Sequence, residues 1–181
     1  MKRHFALGAT LFVATVLTGL TAWAASSENT KKLDSQEEAF LRTAAQDDVF
    51  EIRLGEYAAD HAALSETKQF GRQMATDHQA DLKQIEQLAQ DHGVDLKTHD
   101  NDLTPQQKTV YDRLTTRPGK DFDKEYTKLA LAEHNRMISL YQRQRDHAAD
   151  VDIREYAGKT VPSLEQHKQM ATDTQKAAWG T

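Results

Sequence analysis

The sequence predicts an all-α protein, a four-helix bundle with a short extra helix between its second and third long helices. Three observations lead there. Glycine (8) and proline (3) are scarce among 181 residues, which favours long helices over turn-rich β structure. Apolar residues recur at helical spacing in four long segments, and no alternating strand pattern competes. Start and stop signals fall where those segments begin and end.

The elements follow in order. Ser35 and Glu38 read as a capping box. A first long helix is expected from there to about His61, with Phe40, Ala44, Glu51, Gly55 and Ala58 on one face. Ser65 is placed to cap a second helix carrying Phe70, Met74, Ile85 and Ala89, which stops at Gly93 in a left-handed turn. Thr104, Pro105 and Gln107 supply cap, N1 proline and N3 glutamine for the short helix, 105–116. The third long helix is expected from about Asp121 to Ala148, with Phe122, Tyr126, Ala130, Ile138 and Tyr141 inward. Asp150 caps the fourth, which runs to about Ala178 with an expected kink at Pro162. Short loops make each hairpin antiparallel, while the long middle connection permits either an up-down bundle or a crossover.

Ahead of the bundle, residues 1–24 have the parts of a secretory signal. Lys2 and Arg3 precede an apolar run from Phe5 to Leu20, and Ala22 and Ala24 suit a cleavage site. Residues 25–34 read as a flexible leader, and 35–178 as one domain. A cleaved signal makes the expected protein periplasmic or secreted, without membrane insertion afterwards. The formal net charge is −5, with no basic cluster, which argues against nucleic acid and anionic membranes as partners. Absence of cysteine excludes disulfides, thiolate metal sites and cysteine nucleophiles.

One ionisable residue sits inside the apolar stripe of each long helix. Glu51 is rotated by about 20° from Phe40, His78 by about 40° from Met74, His134 by about 40° from Ala130 and Ile138, and His167 by about 40° from Ala171. Glu51 and His78 are equidistant from the first hairpin loop, and His134 and His167 from the second. Both pairs therefore meet near mid-bundle, which predicts one glutamate and three histidines in a single core layer. Three neutral imidazoles and a carboxylate suit zinc, copper, nickel or iron. The same four residues could instead form a hydrogen-bonded polar layer without a metal.

Met74, Met137 and Met170 each lie three or four residues from one of these histidines. They are additional soft ligands for copper(I), or ordinary core filling. Asp77, Glu133 and Glu165 also accompany the histidines, as surface charges or as partners of the imidazoles. His61, His92, His99 and His147 read as exposed. A carboxylate-bridged di-iron centre requires Glu-x-x-His on two helices. Ala75 and Leu164 stand where those glutamates belong. No nucleophile elbow, phosphate loop or dinucleotide fingerprint is present.

Four stretches carry a family resemblance: AFLRTAAQDDVFEIRLGEYA, TKQFGRQMATDH, FDKEYTKLALAEH and TVPSLEQHKQMA. Over about residues 36–172 the chain resembles the bacterial domain of unknown function 4142 family, exported proteins often labelled as outer-membrane proteins. The resemblance implies a ferritin-like bundle and export, and no particular activity. A chain without long apolar segments or barrel strands cannot itself span a membrane after signal cleavage. Three functions are therefore expected to compete. The first is a periplasmic protein holding a transition metal (zinc, copper or iron). The second is a non-catalytic envelope stress or interaction protein, its polar layer structural or pH-sensing and its partner another envelope protein. The third is a metal-dependent oxidoreductase.

Overall fold

A computed structural model of the chain describes residues 32–96 and 103–180. The expected signal segment and most of the leader lie outside those residues. Five helices make up the structure: α1 (Ser35–His61), α2 (Ser65–Asp91), α3 (Pro105–Thr115), α4 (Gly119–His147) and α5 (Val151–Trp179). No strand occurs among the described residues.

Two helix caps differ from expectation. Asp34, not Ser35, caps α1: its Oδ1 accepts from the amides of Gln36 and Glu37, and Glu37 returns a bond to the Asp34 amide. Both registers fit the capping-box pattern. The observed one lets the second oxygen of buried Glu37 accept from the Asp150 amide at 2.7 Å, joining the starts of α1 and α5. Leu33, just ahead, is already buried in the core. Ser65 does not cap α2, whose N-cap is Leu64 without a side-chain bond. Asp123 of α4 instead accepts from the amides of Ala63 and Leu64, at 3.0 and 2.9 Å.

The other boundaries follow the local chemistry. Gly93 adopts φ +67°, and the Gly93 and Val94 amides bond back to Gln90 and Ala89, a Schellman stop. Thr104, Pro105 and Gln107 start α3 as expected. The third long helix begins two residues earlier than expected, at Gly119 with φ +53°. Asp150 caps α5. That helix continues uninterrupted through Pro162, an exposed position where water can satisfy the carbonyl left without its amide.

Contacts at the two ends decide the topology. At the upper end the α1–α2 loop bonds to Asp123 at the start of α4. At the lower end Asp150, at the start of α5, meets Glu37 near the start of α1 and His92 at the end of α2. The long helices therefore run up, down, down, up. Helix α1 packs on α2 and α4, and α5 packs on α4 and α2. This is the ferritin-like crossover, and α3 lies along it. Gln107 exchanges bonds with Gln46, and the Tyr57 hydroxyl donates to the Thr115 carbonyl.

Helices α1 and α2 approach closely through Gly55 and Gly71. A Cβ at Gly71 would stand 2.7 Å from the Gly55 carbonyl oxygen and 2.9 Å from the Ala59 amide nitrogen. Those backbone atoms cannot swing away as a side chain would. Gly71→Ala is therefore expected to push the helices apart and cost about 2 kcal/mol, despite alanine's better helix propensity. Thermal or urea unfolding measures it; a stabilised variant would show that the seam yields.

The apolar core forms two clusters. The lower includes Phe40, Leu41, Ile85, Tyr141 and Ile153, the upper Phe50, Leu54, Phe70, Phe122 and Tyr126. On each long helix the switch between clusters falls beside a buried polar residue: Asp48 and Glu51, His78, His134, or His167.

Candidate metal centre

Three of the four expected residues come together closely. His78, His134 and His167 each place one ring nitrogen within 4.8 Å of the others. Their ring centroids are 5.7, 5.2 and 5.4 Å apart. Imidazoles on a tetrahedral zinc, with Zn–N near 2.0–2.1 Å, have centroids about 5.2 Å apart. The rings are thus nearly at ligating separation. They are also tilted, by 67°, 50° and 80° between planes, rather than stacked.

One nitrogen of each ring is held by a hydrogen bond, and that bond fixes the proton. His134 Nδ1 is 2.8 Å from the Ala130 carbonyl oxygen. A carbonyl only accepts, so Nδ1 carries hydrogen and a neutral ring presents its lone pair at Nε2. His167 Nε2 donates to Asp77 at 3.0 Å, which leaves the lone pair at Nδ1. His78 Nδ1 donates to Asp48 at 2.7 Å, which leaves Nε2. His78 Nε2, His134 Nε2 and His167 Nδ1 are buried and have no hydrogen-bond partner in the chain. Carboxylate or carbonyl on one nitrogen and metal on the other is the usual arrangement of a ligating histidine.

Charge is distributed unevenly over the triad. Burial, with the His78 charge nearby, pushes His134 down to about 3 and His167 down to about 4, so both are neutral at pH 7. Burial opposes charge on His78 as well. The hydrogen bond and field of Asp48, helped by Glu51 and Asp81, outweigh it and raise His78 to about 9. Burial raises Asp48 to about 7.

Glu51 is buried, but falls outside the group whose atoms lie within 4.8 Å. Both of its carboxylate oxygens lack partners, and burial raises it to about 7. With His78, His134 and Met137 it lines an internal cavity of about 10 Å³, room for about one water-sized particle. The methionines do not share one place. Met74 and Met170 pack with the upper cluster, Met137 with the lower. An open cleft of about 240 Å³ between α2 and α5 reaches His78 and His167 from outside, lined also by Asp77, Asp81, Lys159 and Ser163.

Asp48 is the residue that sequence reasoning missed. It lies about 40° from Ala44 on the helix, and the level test that pairs Glu51 with His78 also admits it. Asp77 bonds across the bundle to His167 rather than to its neighbour His78. Glu133 pairs with Arg136 at the surface, and Glu165 is exposed. His92, expected to be exposed, has its side chain buried at the lower end of the bundle.

The fold is similar to the crystal structure of a DUF305 fragment from Deinococcus radiodurans. The TM-score is 0.71 at 12% sequence identity, over 81% of this chain and 99% of that one. At such identity the likeness bears on the fold alone. No curated protein matches the chain. The model of the domain of unknown function DUF4142 matches residues 22–174, a span that takes in α1, α2, α4, most of α5 and each histidine of the triad, and the chain belongs to that family.

Proposed function

We propose that this is an exported, periplasmic metal-binding bundle that holds one transition-metal ion on His78, His134 and His167. The observation that carries the reading is the set of three buried ring nitrogens, each without a partner and each set by a hydrogen bond on the opposite nitrogen. Leaving them so in a purely structural layer costs about 1–3 kcal/mol apiece. Neutral imidazoles favour copper(II) and zinc(II) over iron(II). Glu51 stands beside the triad as fourth ligand or as the carboxylate that balances the ion's charge. The cleft over His78 and His167 supplies a route for the ion, and Asp77 and Asp81 on its wall attract cations.

A pH sensor built on three charging histidines is less well supported. Burial pushes His134 down to about 3 and His167 down to about 4, so both are mostly neutral at pH 5. Nothing in the lining of the cleft over His78 and His167 singles out a substrate, so an oxidoreductase gains no support from it.

Elemental analysis of tag-free exported protein, followed by titration of the apo form with Zn(II), Cu(II), Cu(I) and Fe(II), tests the proposal. One equivalent more in the wild type than in the His78→Ala/His134→Ala/His167→Ala variant is expected. Equal binding by both proteins would refute it. N-terminal sequencing of the periplasmic product, expected to begin at Ala25, tests export.

Affinity should also depend on pH. Metal displaces the proton from His78 Nε2, so apo protein that is protonated there competes with the ion. With His78 raised to about 9, affinity should fall about tenfold per unit as pH drops from 9 to 7, and more steeply below 7, where Glu51 also takes up a proton. Above pH 9 the His78 contribution is complete and the curve should flatten. Calorimetric titration across pH 6.5–9.5 would show it, and a flat profile from 7 to 9 would contradict the assignment of His78.

A further inference from the structure

The lower end of the bundle holds a second group of metal-ligating side chains, from different residues. His92 is the C-cap of α2, and the Schellman turn through Gly93 fixes its backbone. Its side chain is only 2% exposed, yet neither ring nitrogen has a hydrogen-bond partner. Nε2 lies 3.4 Å from Asp152 Oδ2 and 3.8 Å from Asp150 Oδ1. His78 and Asp48 show what the same two side chains do when they bond directly: they close to 2.7 Å. Charged hydrogen bonds fall near 2.7–2.9 Å, so the His92 distances are too long for one. They resemble the spacing of about 3.3 Å between ligand atoms around a tetrahedral zinc.

We infer that His92, Asp150 and Asp152 form a zinc(II) site separate from the three-histidine centre. One imidazole and two carboxylates give three ligands, and their two negative charges match the ion. Asp150 is held in place by its cap bonds to the Asp152 and Ile153 amides. The Asp152 side chain is 58% exposed, so the fourth position faces water. A bound ion ties the end of α2 to the start of α5, below the His167–Asp77 and Tyr156–Asp81 bonds that already join these helices.

The test uses the full tag-free chain with zinc(II) alone as probe, read by calorimetry and elemental analysis. Asp152→Asn and His92→Gln are each expected to lose one zinc equivalent per chain, or to bind it more than tenfold more weakly. The His78→Ala/His134→Ala/His167→Ala variant is expected to retain that equivalent. Asp152 is exposed, so its variant folds whatever His92→Gln does, and circular dichroism checks both. Should the three-histidine centre bind nothing, the wild type shows one equivalent, removed by the lower-end variants. Zinc stoichiometry and affinity unchanged in Asp152→Asn would overturn the site.

Discussion

His134→Leu is expected to abolish metal binding, by at least about a hundredfold in affinity, while leaving the apo protein as stable as before or more so by about 1 kcal/mol. The two effects have opposite signs because the ring serves the metal and not the core. Leucine has nearly the volume of histidine, so the exchange opens no large cavity. The lost bond from Nδ1 to the Ala130 carbonyl is inexpensive, because that carbonyl also accepts the helical bond from the His134 amide, four residues on. What disappears is a buried nitrogen without a partner and a ring held neutral against two neighbouring imidazoles. Replacing such a group by a hydrocarbon of the same shape is neutral or favourable. Chemical denaturation of apo protein beside a metal titration measures both sides. A fall of several kcal/mol with metal affinity unchanged would identify the layer as a structural network.

Much of this site was legible because helices are periodic. Rotation of about 100° per residue puts His78, His134 and His167 on inward faces, and counting from the hairpin loops puts them level. Neither operation needs the crossover to be known. The up-down-down-up order was not legible, because nothing local in residues 93–118 says which end of the bundle the chain must reach. It is fixed by contacts distant in sequence, such as Asp123 with the Ala63 and Leu64 amides. The same blindness explains the two helix caps. Ser35 and Ser65 are sound caps by local rule. Bonds distant in sequence made by two buried acids, Glu37 to the Asp150 amide of α5 and Asp123 to the first loop, decided where the amides went. Glu51 shows a further limit. Its face and height were right, but phase resolves position only to about a side chain's width, too coarse to separate a ligand from a carboxylate beside one. The reach of Asp77 to His167 is hidden for the same reason, since it depends on which helix stands next to α2.

Asp123→Ala is expected to cost about 3 kcal/mol, and to disturb the site as well as the fold. Asp123 is fully buried, and each carboxylate oxygen accepts one amide from the α1–α2 loop. Hydrogen bonds to charged acceptors contribute about 1.5–3 kcal/mol each. Alanine would leave both amides to compete for water in a loop that packs against α4. Asp123→Asn keeps one acceptor and should lose about half as much. The consequence for function follows from the topology. Helices α2 and α4 both run downward, at diagonal corners of the bundle, and the chain joins them only through the long crossover, so connectivity does not set their relative height. Asp123 does: a bond at the top of α4 fixes where His134 stands relative to His78, about three turns below. Releasing it should lower metal affinity more than tenfold under conditions where the variant remains folded, with far-ultraviolet circular dichroism unchanged. Loss of stability with metal affinity intact would mean that the core alone, through Phe122, Tyr126 and Tyr141, holds α4 at its height.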